Sequence, residues 1–349
     1  MTEDDNGSGT FRGNEEITED ALVDKIRSRF GGTREGSLGI GDDAAILSDP
    51  RPAVLTTDIL IEEIDFFTTT PRWFVGRKAL SANLSDLAAM GAEPDSFLLT
   101  LATPRSQLAT LEDLLDGMAE KASDFRIALA GGDLSEAERM IVSITAIGRV
   151  RSGRALLRSE ARPGDSLFVS RPLGGPAAGL ELLRKGWSLD RNLDLSTPRD
   201  VSYEIRELGA SVLRSHLDPT PEVELGLALA KLDEAGACID LSDGVSRDLA
   251  RICEASGVGA VIDWERVPTV PDLDRLGPRL GVDPFRCALH GGEEFSLLFT
   301  ARSAEAQLSQ TLGRPVYRIG KIEKGGGVRL NRAGRVEPLP PLSFDHFGG

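Results

Sequence analysis

Residues 71 to 90 form a helix whose two ends are both marked in the sequence. Thr70 can cap its start, and Pro71 suits the first helical position, where a missing N–H costs nothing. Gly91 suits the left-handed position after the last turn, and Pro94 bars continuation. Leu80, Leu84, Leu87 and Met90 lie along one stripe, while Asp86 falls on another face. A helix so bounded needs a surface to bury that stripe against, and the flanking runs supply strands. Ala53 to Thr57 is apolar and β-branched and runs into Asp58. Ser96 to Ala102 and Met140 to Ile147 are strands, and Arg126 to Ala130 is a strand expected to break at Gly131-Gly132-Asp133. Gln107 to Asp124 is a second helix, and Val23 to Phe30 an amphipathic one, with Leu22, Ile26 and Phe30 four apart. The alternation argues an α/β or α+β fold.

The chain has 349 residues, enough for about two domains. A boundary is expected near 150–165, where Arg162-Pro163-Gly164-Asp165 is a turn signal. Beyond it come a strand at Ser166–Ser170, a helix from about 221 to 235 closed by Gly236, a strand at Ala237–Ile239 and a helix from Val245 to about Ala255 ended by Gly257. Glu337 to Pro341 is extended. The expected division is an arm over 1–15, one domain over 16–150 and another over 151–349.

Formal net charge is −15. An acidic surface repels nucleic acid and anionic membranes, so neither is expected as a partner. Three cysteines without CxxC spacing argue against a disulfide scaffold or a structural zinc site and fit a reducing compartment. There is no apolar run of membrane-spanning length and no signal-peptide pattern, so a cytoplasmic protein is expected.

Several acids sit where strands or apolar runs end, a common place for ligands in α/β domains: Asp42, Asp43, Asp58, Asp133, Asp240 and Asp243. Magnesium takes oxygen ligands and joins one or two carboxylates to phosphates. An aspartate-lined site repels a polyphosphate unless divalent cations reverse the sign. Each residue alone has an ordinary explanation. Asp243 can cap the helix at Val245, Asp86 can be a solvated helix residue, and Gly131-Gly132 can be a tight turn. No GxxxxGK[ST] loop, kinase HRD and DFG set or GxSxG elbow is present.

Together the segments resemble the thiamine-monophosphate kinase family of the aminoimidazole ribonucleotide synthetase superfamily. The resemblance is carried by Gly39–Ala45, Thr56-Thr57-Asp58, Ala82–Ala92 (ANLSDLAAMGA), Gly131-Gly132-Asp133, Gly153–Ser159, Ile239–Gly244 (IDLSDG), Gly291–Phe295 and the C-terminal Phe344-Asp345-His346-Phe347. It implies a two-domain fold of that superfamily: an N-terminal mixed sheet that pairs in a homodimer and a C-terminal α+β domain. It also implies ATP-dependent phosphorylation of thiamine monophosphate, with several magnesium ions. Asp43, Thr56, Thr57, Asp58, Asp86, Asp133, Asp240 and Asp243 would be metal ligands. Gly132, Asp133, Arg158 and Ser242 would contact ATP, and Asp65, Glu293 and Phe344 the acceptor. The chain departs from the family at Asp65, where a histidine is usual, at Gly174-Gly175-Pro176, where Gly-Asp-Ser is usual, and at Glu294, where the family's GGED has aspartate. A kinase or synthetase for another phosphorylated acceptor, a non-catalytic Mg-ATP-binding homologue and a structural metal-binding module stay open on these residues.

Overall fold

The computed structural model describes residues 19–30, 49–151 and 154–342. After helix α1 (Glu19–Phe30), strands β1 (Ala53–Ile61), β2 (Ala92–Thr103), β3 (Ala128–Glu136) and β4 (Ile141–Val150) make a mixed four-stranded sheet in the order β1-β4-β2-β3. Only β2 and β3 are parallel. Helices α2 (Arg72–Ala89) and α3 (Leu111–Phe125) cover one face.

The second half is a seven-stranded sheet with helices against it. In chain order come β5 (Ser166–Val169), α4 (Gly175–Arg184), a small hairpin of β6 (Ser188–Leu189) and β7 (Leu195–Ser196), then α5 (Tyr203–Leu217) and α6 (Val223–Leu229). Next are β8 (Ala235–Asp240), α7 (Val245–Ser256), β9 (Gly259–Asp263), α8 (Leu273–Leu276), α9 (Pro284–His290), β10 (Leu297–Ala301), α10 (Glu305–Leu312), β11 (Tyr317–Glu323), β12 (Gly327–Arg332) and β13 (Arg335–Pro338). The sheet order is β13-β12-β9-β11-β5-β10-β8. Two halves of mixed α/β structure result. No helix among the described residues is long and apolar enough to cross a membrane.

Helix α2 joins the halves. Leu80, Leu84 and Leu87 are fully buried, and its core runs on into Val223, Leu229, Ala235 and Phe299 of the second half. Glycines let neighbouring backbones come this close. A Cβ on Gly117 of α3 would lie 2.0 Å from the Trp73 carbonyl oxygen, one on Gly76 2.0 Å from that of Leu114, and one on Gly226 of α6 2.0 Å from that of Ala88. The helix ends at Met90 with Gly91 left-handed (φ 62°), as its sequence predicts. At its start Pro71 itself stands at the cap and no side chain caps it.

Three local expectations are corrected. Asp58 lies inside β1, because pairing with β4 extends that strand to Ile61. The strand through Gly131-Gly132-Asp133 does not break; a register shift opposite Phe97 and Leu98 lets it continue to Glu136. The helix expected over 221–235 spans only Val223–Leu229, since Ala235–Asp240 is taken up as an edge strand against β10.

On the open face of the first sheet, Leu55 is 65% exposed, Ile59 50% and Leu98 37%. Among the described residues nothing covers them.

Alanine at Gly117 should destabilise the protein. Helix propensity alone favours alanine by about 1 kcal/mol, but its methyl would meet the Trp73 backbone, and overpacking costs about 1–3 kcal/mol. Urea denaturation should show a net loss for Gly117→Ala; a gain would contradict the close crossing of α2 and α3.

Candidate functional site

Asp58 projects from β1 toward α2, because its strand alternates between faces and Leu60 on the same side is buried. Asp86 comes from the last turn of α2, and Asp240 ends β8. Three elements from both halves thus bring three acids together. Thr56, two residues before Asp58 on the same face, donates its hydroxyl to Asp86 Oδ2. The Ser85 hydroxyl donates to Asp240 Oδ2 at 2.9 Å.

Electrostatics records the crowding. Burial, then the charge of Asp86 and a hydrogen bond with it, push the Asp58 carboxyl up to about 7. Burial also raises Asp86, opposed by the Thr56 hydroxyl and the positive charge of Arg158. Burial and the charge of Asp86 raise Asp240 well above the usual carboxylate range. Desolvated like charges cannot all ionise. A divalent cation among them would relieve both burdens, and an all-oxygen donor set suits magnesium. Among the described residues no three His, Cys, Asp or Glu side chains form a single ion's shell.

Beside these acids opens a cleft of about 840 Å³, lined by Asp58, Asp65, Ser242, Asp243 and Glu293 among others. One part is apolar, with Ile64, Phe66, Phe67, Phe74, Leu180 and Val282. Asp243 is paired with Arg251 at 2.5 Å. It does not cap α7; instead Asp248 accepts from the N–H groups of Asp243 and Gly244 at 3.1 and 3.0 Å. Asp65 accepts from the Ile61 N–H at 2.8 Å, closing the turn after β1.

Other candidates stand apart. The Thr57 hydroxyl lies on the opposite face of β1 and donates to the Ile144 carbonyl at 3.0 Å. Gly132 shares a row with Leu99, Ile144 and Asp58 across the sheet. Three strand spacings, about 14 Å, separate its backbone from that of Asp58. A Cβ on Gly132 would lie 1.9 Å from the Leu99 carbonyl oxygen, so sheet packing alone demands glycine there. Asp133 is exposed and shares the open-face row of Thr100 and Ile59. Arg158 opens a short 3-10 turn, within electrostatic reach of Asp86. Asp43 and Phe344 lie outside the described residues.

Sequence reasoning missed Lys78 and His216, both buried, which flank Glu293 in the cleft. A signal for Lys78 was present: it is spaced three from Val75 and four from Ala82, on a face of α2 that lines the cleft.

Comparison with known proteins agrees with this architecture. Residues 41–150 match the AIR synthase related protein N-terminal domain, and residues 162–332 the corresponding C-terminal domain. A thiamine-monophosphate kinase from Synechococcus elongatus is 35% identical over 318 residues, covering 88% of this chain and 91% of that protein. The crystal structure of thiamine-monophosphate kinase from Stenotrophomonas maltophilia is 36% identical with a TM-score of 0.76, covering 90% of this chain and 97% of its own. AaThiL complexed with AMPPCP and TMP is 29% identical with a TM-score of 0.73, covering 94% and 97%.

The raised carboxyls set the sign of a pH dependence. With its folded pKa lifted from 3.8 to about 7, Asp58 binds its proton more tightly in the folded chain. Stability is full below the unfolded value and is lost as pH rises through the folded one. In magnesium-free buffer the melting temperature should fall from pH 5 to pH 8, and Asp58→Asn should flatten that slope. An unchanged slope in the variant would show that Asp58 ionises freely.

Proposed function

The chain belongs to the AIR synthase related family, among its thiamine-monophosphate kinases, and we propose that it transfers the γ-phosphoryl group of ATP to thiamine monophosphate, giving thiamine diphosphate. The observation that carries this reading is the convergence of Asp58, Asp86 and Asp240, from both halves of the chain, beside one large cleft. AMPPCP is an ATP analogue whose terminal phosphoryl group cannot be transferred. Its joint presence with TMP in AaThiL supports a site that takes donor and acceptor together.

Asp58, Asp86 and Asp240, with Asp43, would hold magnesium. When bound, magnesium offsets the negative charge of the polyphosphate and of the group in transfer. The chain's own side chains prepare that arrangement. The Thr56 and Ser85 hydroxyls orient Asp86 and Asp240. Arg158 supplies a cation that clamps phosphate. Ser242 lies at the cleft wall for ATP, and Asp243, paired with Arg251, adds a further acid there. A phosphate monoester is already anionic near neutral pH, so in-line attack on the γ-phosphorus needs positioning more than a strong base. The apolar part of the cleft takes the acceptor's ring system, with Glu293 and Phe344 as its contacts. Asp65, in place of the family's histidine, closes a local turn and stands at the rim.

Pairing of two copies through the open sheet face would cover Leu55, Ile59 and Leu98. Asp133 lies on that face, so its role toward ATP, with Gly132, would be exercised across the subunit boundary. ATP as a substrate and three unpaired, buried cysteines go with a cytoplasmic location.

An ADP-release assay with Mg-ATP should show turnover with thiamine monophosphate and none with thiamine or aminoimidazole precursors; turnover only with another phosphorylated acceptor would overturn the substrate assignment. Asp58→Asn and Asp240→Asn should each lower kcat/KM on the order of 10²–10³-fold with no loss of melting temperature. Full activity in either variant would remove that residue from the metal set.

A further inference from the structure

The run Gly291-Gly292-Glu293-Glu294-Phe295 sends two neighbouring acids in opposite directions. Glu293 and Phe295 both have left-handed backbone, with φ of 62° and 45°, a conformation that side-chain-bearing residues adopt at a cost. Hydrogen bonds to the loop after β8 hold it. The N–H groups of Glu293 and Phe295 donate to the carbonyls of Ser242 and Leu241 at 2.8 and 3.0 Å. Glu294 turns inward and accepts from the Gly174 N–H at 2.5 Å. Glu293 turns to the cleft, its Oε1 2.6 Å from Lys78 Nζ and its Oε2 3.0 Å from His216 Nδ1.

Lys78 and His216 are only 3% and 4% exposed, whereas 30% of the Glu293 side chain remains open. The two bases therefore sit behind the carboxylate, and a ligand in the cleft meets Glu293 first. A buried Lys–Glu pair adds little net stability, because desolvation offsets the attraction. Its presence here calls for another reason. A carboxylate has about four acceptor sites. Lys78 Nζ and His216 Nδ1 each stand against one oxygen, and the carboxylate keeps acceptor sites for donors in the cleft.

We infer that Lys78 and His216 are positioning residues for the acceptor: they clamp the Glu293 carboxylate in one orientation, so that it receives the acceptor's N–H donors without first being ordered. This rests on reading the cleft as the acceptor site. Burial pushes the Glu293 carboxyl up, but the charges of Lys78 and then His216 overcome it and hold it at about 2. Burial and the charge of Lys78 lower the His216 imidazole below its usual value, opposed by the charge of Glu293.

The test is a double-mutant cycle with thiamine monophosphate as the acceptor, reading both KM values, kcat and the melting temperature. Lys78→Met should raise the acceptor KM about tenfold or more, with the KM for ATP within about twofold, and Lys78→Arg should recover most of the loss. His216→Asn, which keeps a donor near the Nδ1 position, should be milder than His216→Phe. Lys78→Met with Glu293→Gln should be no worse than the poorer single variant. An unchanged acceptor KM in Lys78→Met, additive losses, or equal effects on both KM values would overturn the inference. Wild-type protein inactive on thiamine monophosphate would overturn the substrate assignment and this inference with it.

Discussion

Negative charge is packed where water is scarce. Asp58, Asp86 and Asp240 are drawn together by the same packing that buries α2 between the two halves of the chain. Leucines at 80, 84 and 87 supply the attraction, and Gly76, Gly117 and Gly226 allow the neighbouring backbones to approach closely enough. Hydrophobic burial thus holds like charges at a separation they would not choose in water. Protons can offset that repulsion, and so can divalent cations. The second choice also reverses the local sign, which a polyphosphate requires before it can bind a chain of net charge −15.

The acids in and beside the cleft fall into two classes. Asp58, Asp86 and Asp240 have no cation in ion-pair contact among the described residues, and their carboxyls are raised. Glu293 and Asp243 are paired with Lys78 and Arg251, and Asp65 is committed to the Ile61 N–H. Uncompensated acids call for a cation; compensated ones shape a wall. The division separates an uncompensated end from a compensated one, and α2 serves both, with Lys78 at one and Asp86 at the other.

Local chemistry made part of this legible in the sequence. The end of α2 at Gly91 and that of α7 at Gly257 could be read because glycine there adopts a left-handed backbone. What depends on pairing partners could not. Asp58 reads as the end of a strand but lies inside one, since β4 extends β1 to Ile61. Gly131-Gly132 reads as a tight turn, yet both lie inside β3, where close approach to Leu99 requires glycine at 132. The motifs nominated Asp58, Asp86 and Asp240, but only the fold shows that they meet, while Thr57 and Asp133 face the other side of the sheet. The trio of Lys78, His216 and Glu293 comes from α2, α5 and the loop before β10, and no spacing rule joins residues so far apart.

Calorimetry of AMPPCP binding, with magnesium and then with a chelator, bears most directly on the electrostatic account. Binding should require magnesium, and near pH 7 it should release protons from the raised carboxyls, seen as a dependence of the heat on buffer ionisation enthalpy. Equal nucleotide affinity in the chelator, with no proton release, would contradict it.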